Sequence, residues 1–473
     1  MTSGRMYIDG KWVDGESTFE VTDRFSGDLL AKVASASRDQ VSQAAAAAAG
    51  AFARQRLTAQ LRYQFLHRAA ALLESQRRTF TSTIVAESGF TITDAEGEVS
   101  RAVQTLLACA EEAKRIVGEM VPIDAAPGQE NRLAFTLRVP VGVVCAITPF
   151  NSPLNTVVHK VGPALAAGNA VVLKPATQTP LTAELLCRLL TETGVPAGYL
   201  NLIHGDGPSV GQSLLEDPHF AFYTFTGSTA VGRLIQRSIG LRRSQLELGS
   251  ISATIVCEDA DLARAVPRCV NASFRKAGQV CTSVQRLYVQ RSVLDTFVAA
   301  LVDATSQAKV GDPRDPATLV GPMIGAREAE RAESWVRESV AQGAKIVCGG
   351  RREGALFFPT ILTDVTTRMR VMCAEIFAPV ISIVPYDSLE AVIDDINATP
   401  YGLAAGIFSA NINTAIKAAR ELQVGTVHIN ETSSSRVDVM PYGGTKDSGF
   451  GREGPKYAIR EMTDERLVTL SPY

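Results

Sequence analysis

Several features that would have directed attention to particular functions are missing from the sequence. No apolar run reaches the roughly 20 residues that a bilayer-spanning helix needs. Neither sign of charge dominates. The 473 residues carry a formal net charge of −2 with an isoelectric point near 6.3, which leaves out the basic footprint of a nucleic-acid binder. The eight cysteines (Cys109, Cys145, Cys187, Cys257, Cys269, Cys281, Cys348 and Cys373) form no CxxC pair, so neither a disulfide framework nor a zinc site is expected. Nucleotide fingerprints are incomplete. No GxGxxG follows the first strand of the regular α/β part, and Thr226-Gly227-Ser228-Thr229-Ala230-Val231-Gly232-Arg233 continues to Leu234 where a P-loop needs Lys-Ser/Thr, which argues against ATP or GTP. Met1–Gly10 carries Arg5 but no apolar core of a secretory signal, so a cytoplasmic location is the expectation.

What is present is ordinary globular composition, 20% charged and 46% apolar. The length exceeds what one hydrophobic core serves, and two or three domains are expected. Met6–Ile8 and Lys11–Val13 flank Asp9-Gly10, a hairpin signal. Arg38 to about Val117 reads as helical. Residues 118–138 carry Pro122, Pro127 and Gly128 and then alternate, as an extended arm would. In the centre, strand-like runs at Val141–Ile147, Ala170–Leu173, Tyr199–Ile203 and Ala221–Phe225 alternate with helical windows at Pro153–Ala167, Pro180–Thr193, Ser209–Glu216 and Thr229–Ile239. Such alternation predicts βαβ units around a parallel sheet, whose ligands bind at the carboxyl ends of the strands. A second α/β pattern follows Gly249, and the tail ends in an extended Arg466–Leu470.

Five stretches could carry chemistry, each with a plainer reading beside it. Cys281 follows a glycine-containing turn, Gly278-Gln279-Val280, and is either an exposed thiol or a packing cysteine. Glu247 lies in an apolar strand, where desolvation would raise its pKa toward that of a general base; a capping or ion-paired glutamate is the plainer reading. Asn151, closing Thr148-Pro149-Phe150-Asn151 after a strand, could donate to an oxyanion or simply cap a turn. Lys174 and Thr177 end the next strand with a cation and a hydroxyl suited to ribose and phosphate oxygens, or with a solvated lysine. Gly227-Ser228 joins a strand to a helix, where free N–H groups and the dipole favour an anion.

Together these stretches resemble the aldehyde dehydrogenase superfamily along essentially the whole chain. The matching segments are PFN (149–151), GNAVVLKPA (168–176), FTGST (225–229), LELG (246–249), GQVC (278–281), EIFAP (375–379) and PYGGTKDSGFGREG (441–454). The resemblance implies an α/β architecture with a Rossmann-like cofactor domain (1–117 and 139–248), a catalytic domain (249–446) and a small β oligomerisation arm (118–138 and 447–473). It implies Cys281 as nucleophile, Glu247 as deacylating base and Asn151 as oxyanion donor beside the Cys281 backbone N–H. NAD or NADP would be held by Thr148, Pro149, Lys174, Thr177, Gly207, Gly227, Ser228, Glu375 and Phe377. Self-association into a homodimer or homotetramer is also implied. Departures from the family pattern are Ser250 for a second glycine, Lys276 where asparagine is common, Ala378 for glycine, and Thr177 for a carboxylate. The last removes a repulsion toward a 2′-phosphate, so NADP should be tolerated.

The substrate expectation is a short aldehyde bearing a negative charge. The run 436–444 and His159 resemble the lactaldehyde, glycolaldehyde and phosphonoacetaldehyde branch, and succinic semialdehyde is a further candidate. Arg101 is expected on the inner face of its helix, or else ion-paired with Glu98 three residues away. His159, eight positions after Asn151, would face the same tunnel, and Thr282, Ser435 and Arg436 would line it. Two other readings remain at this point: a CoA-acylating relative, which would lack Glu247, and a silent binding protein on the same fold.

Overall fold

The computed structural model describes residues 2–471. The Asp9-Gly10 hairpin forms with both residues at positive φ, 47° and 81°, the geometry that matches the twist of the strands it joins. Four helices follow, Arg38–Arg54, Ala59–Ser75, Arg77–Ser88 and Ile92–Ala113. The first opens with a capping box between Ser37 and Gln40. The last is capped by Thr91, whose hydroxyl accepts from the Asp94 N–H.

Two sheets carry the rest. The first has eight strands, ordered Gly449–Phe450, Arg243–Glu247, Phe220–Thr226, Val143–Ile147, Ala170–Lys174, Leu200–Leu202, Met6–Ile8 and Lys11–Val13. Its five central strands are parallel. They read as continuous apolar runs because helices cover both faces; helix Asn155–Ala167 is buried on every side. The second sheet has seven strands, ordered Lys345–Cys348, Thr360–Thr363, Val380–Tyr386, Arg286–Gln290, Ala253–Val256, Ala404–Phe408 and Thr426–Ile429. Only Lys345–Cys348 runs antiparallel. Among the described residues no helix is long and apolar enough to cross a membrane.

A third sheet is the arm. Thr463–Leu470 pairs antiparallel with Leu133–Pro140 over eight residues, and Met120–Val121 completes it. Two borders differ from the expected ones. The arm strand runs through Pro140, and Gly449–Phe450 joins the eight-stranded sheet rather than the arm. Gly449 permits that approach: it sits at φ 106°, and a Cβ there would lie 1.9 Å from the Leu246 carbonyl oxygen.

Candidate active site

A cavity of about 550 Å³ opens where the carboxyl ends of the first sheet's strands meet the second sheet. Its lining includes Asn151, Glu247 and Cys281, which come from three separate segments. The turn before Cys281 is unusual. Lys276, Ala277 and Gly278 all hold positive φ (53°, 52° and 68°). A Cβ at Gly278 would lie 2.2 Å from the Ala378 carbonyl oxygen, so only glycine fits. Left-handed geometry at two non-glycine residues costs of order 1 kcal/mol each.

Buried charges hold that turn. The Lys276 ammonium pairs with Glu98 Oε2 at 2.6 Å and donates to the Asn151 carbonyl at 2.9 Å. Glu98 Oε1 accepts from the backbone N–H groups of Leu154 and Asn155 and from the Ser152 hydroxyl. Burial alone would raise the Glu98 carboxyl, but Lys276 holds it below the usual range. One lysine thus ties the helix Ile92–Ala113, the Asn151 loop and the turn before Cys281 together. Asn151 Nδ2 donates to the Gln279 carbonyl at 2.9 Å, which leaves its second N–H for another acceptor.

The Cys281 thiol is half-buried, and burial pushes it up to about 11, assisted by Glu375 and Glu247. Its Sγ lies 3.0 Å from the Tyr442 hydroxyl. Glu247 is 3% exposed and neither carboxylate oxygen has a hydrogen-bond partner among the described residues. Desolvation, then the neighbouring Glu453, raise it well above the ordinary carboxylate range. Glu453 is equally buried yet held far down, because Lys160 and Arg436 each approach within 2.6 Å.

Thr148, Pro149, Gly227, Ser228, Glu375 and Phe377 line the other end of the cavity. They suit a dinucleotide. The Thr148 hydroxyl is buried without a partner. Gly227-Ser228 leads into the ten-residue helix Thr229–Ser238, which Ser228 caps. The Glu375 carboxyl, pushed up to about 7 by burial, receives one backbone N–H, from Ser250. A Cβ at Gly249 would lie 2.6 Å from Glu375 Oε2, so glycine keeps the carboxylate's place. Phe377, at φ 50°, meets Phe150 edge to face at 5.9 Å. Lys174, Thr177 and Gly207 stand beside the cavity rather than in its lining, where Ala176 and Gln178 take that place. Thr177 donates to the Gly205 carbonyl at 3.1 Å. Lys174 is buried and lowered to about 8.

The expected substrate residues divide. Thr282 and Arg436 line the cavity. Arg101 does too, but its guanidinium makes a bidentate pair with Asp438 (2.7 and 3.0 Å), so neither the free cation nor the Glu98 pair expected for it is found. His159 is corrected more fully. It is 1% exposed, its Nε2 lies 2.9 Å from Asp438 Oδ1, and burial lowers its pKa, so it is a neutral packing histidine outside the cavity lining. The cavity meets only the first turn of that helix, at Asn155 and Thr156, and His159 lies a turn further along. Ser435 lines a separate hollow of about 220 Å³, together with Arg275 and Ser434.

Arg275, Lys276, Tyr442 and the Lys160–Glu453 pair had been given no role from sequence. Arg275 stands six residues before Cys281 and lines both hollows. Its one hydrogen bond is to the Ser434 hydroxyl at 2.9 Å, and burial lowers its pKa. No carboxylate among the described residues forms an ion pair with it. A cation next to an apparent nucleophile was the available signal.

The family model of the aldehyde dehydrogenase family matches residues 12–468. A 3-sulfolactaldehyde dehydrogenase of Priestia aryabhattai is 49% identical over 466 residues, 98% of each chain. A lactaldehyde dehydrogenase of Methanocaldococcus jannaschii is 38% identical over 98% of this chain and all of its own. Among solved structures, aldehyde dehydrogenase 21 of Physcomitrella patens, in complex with the reaction product succinate, superposes with a TM-score of 0.96 at 35% identity, covering 99% of this chain and 98% of that one. The same scores are obtained with an NADP-dependent enzyme of E. coli, over the same shares of the two chains. The chain belongs to the aldehyde dehydrogenase family and is an NAD(P)-dependent oxidoreductase acting on aldehydes.

Proposed function

We propose that this enzyme oxidises a short anionic aldehyde to its acid through a cysteine thioester. The observation that carries the substrate class is Arg275: a guanidinium in the cavity that holds Cys281, with one hydroxyl partner and, among the described residues, no carboxylate in ion-pair contact. Asp94 favours this half-buried guanidinium only from beyond ion-pair reach, so its donors are left for an anionic substrate, which supplies the closer charge. Relatives support the class. Sulfolactaldehyde bears a sulfonate, and the succinate held by the moss enzyme is a dicarboxylate.

In this reading Cys281 adds as thiolate to the aldehyde carbon, giving an alkoxide. The free N–H of Asn151 and the Cys281 backbone N–H receive that oxygen; one such donor is typically worth 10²–10³ in rate. NAD(P) when bound supplies the two-electron acceptor. Thr148, Gly227, Ser228, Glu375 and Phe377 would hold it, with Lys174, Thr177 and Gly207 at the adenosine end. Threonine at 177 places no charge against a 2′-phosphate. Glu247, raised by burial and free of hydrogen bonds, takes the proton of the water that cleaves the thioester. Its presence favours hydrolysis over transfer to CoA. The arm leaves Leu133, Leu137, Leu467 and Leu470 exposed, which supports self-association through that sheet.

The test is a panel of anionic and neutral short aldehydes with wild type and Arg275→Met. Loss of one charge-assisted contact should raise KM for 3-sulfolactaldehyde and succinic semialdehyde about 10- to 100-fold, with propanal unchanged. Equal effects on charged and neutral substrates would sink the anion reading. Turnover by Cys281→Ser would sink the thioester.

A further inference from the structure

Tyr442 is clamped at three points. Its backbone exchanges hydrogen bonds with Glu453, N–H to carbonyl at 3.2 Å and 2.7 Å in the two directions. The Arg436 guanidinium lies 3.9 Å over its ring, and that guanidinium pairs in turn with the Glu453 carboxylate. The ring is 4% exposed and lines the cavity. Its hydroxyl is therefore fixed, and among the described residues the only hydrogen-bond partner it has is Cys281 Sγ, at 3.0 Å.

The chemistry of the two groups gives this contact a direction. In the thiol state either group can donate. In the thiolate state only the phenol can, because sulfur has lost its proton. A contact that becomes charge-assisted on ionisation favours the ionised form. We propose that Tyr442 is a catalytic residue: its hydroxyl donates to the Cys281 sulfur and stabilises the thiolate that attacks the aldehyde. This rests on Cys281 being the nucleophile.

The surroundings explain why such a donor is needed. Glu247 and Glu375 both oppose negative charge on the sulfur, and burial opposes it more strongly. Arg436 and Arg275 favour it from other sides. Neither arginine is hydrogen-bonded to the sulfur; among the described residues the phenol is the one group that is. Burial and the adjacent cysteine raise the phenol's own pKa, so it stays protonated and remains a donor wherever the enzyme works. Packing alone does not call for the hydroxyl, since phenylalanine would fill the same space under Arg436.

The decisive comparison is alkylation of Cys281 by iodoacetamide in the coenzyme-free protein, followed by mass spectrometry of the peptide that carries it. Below the thiol's midpoint the rate follows the thiolate fraction. Tyr442→Phe should slow alkylation about tenfold between pH 7 and 9, the equivalent of a one-unit upward shift, and lower kcat/KM by a similar factor. Coenzyme binding and melting temperature should not move. Site-specific replacement of Tyr442 by 3,5-difluorotyrosine, a stronger acid and better donor, should speed alkylation. An unchanged rate in Tyr442→Phe, or a slower rate with difluorotyrosine, overturns the proposal. Cys281→Ser, assayed for turnover alone, tests the nucleophile separately.

Discussion

On the cavity wall built by the helices Ile92–Ala113 and Asn155–Ala167, buried charges come matched: Glu98 with Lys276, Asp438 with Arg101, Lys160 with Glu453. Across the cavity the buried Glu247 and the half-buried Cys281 have no ionic partner among the described residues, and their pKa values rise. Glu247 and Glu453 make the contrast within a single cluster. Both are fully enclosed glutamates; two cations hold one far down, while desolvation and the charge of that first glutamate raise the other. Matched charges fix geometry. An unmatched group is raised by desolvation, which disfavours its charged form and marks it as a functional candidate.

Neutralising the unmatched carboxylate should have the largest effect. Glu247→Gln is expected to cut steady-state turnover about 10²- to 10⁴-fold. Thioester formation does not need the base, so a burst of reduced coenzyme near one per site should survive. Stopped-flow absorbance at 340 nm separates the two, and loss of the burst together with turnover would show that Glu247 also serves the first half-reaction.

Breaking a match on the opposite wall should act on stability first. Lys276→Met leaves the buried Glu98 with its backbone N–H and Ser152 donors but without its cation, and is expected to cost about 3–5 kcal/mol. Adding Glu98→Gln should return much of it, and urea unfolding of the single and double variants measures the coupling. The Arg101–Asp438 pair is smaller in effect, because the Arg101 side chain is 37% exposed. Arg101→Met should lower stability by about 1 kcal/mol and change KM for anionic aldehydes less than Arg275→Met does. A larger KM change in the Arg101 variant would mean that the pair with Asp438 opens to admit substrate.

Much of this architecture could be read from local signals. The strand Ala170–Lys174 lies within one residue of the apolar run Ala170–Leu173, and the Asp9-Gly10 turn follows from two residues that tolerate positive φ. The cavity's catalytic candidates were legible because they lie in short, ordered motifs. The pairings were not. Asp438 lies 337 residues from Arg101 and 279 from His159, and no local pattern announces that one carboxylate will claim both. Nor does spacing reveal that Lys276, rather than Arg101, reaches Glu98. That depends on three successive residues turning left-handed before Cys281, a conformation propensity would assign to Gly278 alone.

The smallest expected effect is at Glu375, an unmatched carboxylate at the coenzyme end. Its pKa of about 7, up from 4.5, makes it ionise within the working range. An ionised carboxylate accepts ribose hydroxyls more strongly than a neutral acid does. Coenzyme affinity should therefore strengthen a few-fold as pH rises from 6 to 8, read by fluorescence titration of NAD(P)H. Fold stability runs the other way. A carboxyl raised in the folded state contributes stability that is fully present below 4.5 and is lost as pH climbs through 7. Glu375→Gln should flatten both dependences at once. If only the stability profile flattens, the carboxylate is a buried acid that the coenzyme does not touch, and the contrast between the two walls holds for Glu247 and Cys281 alone.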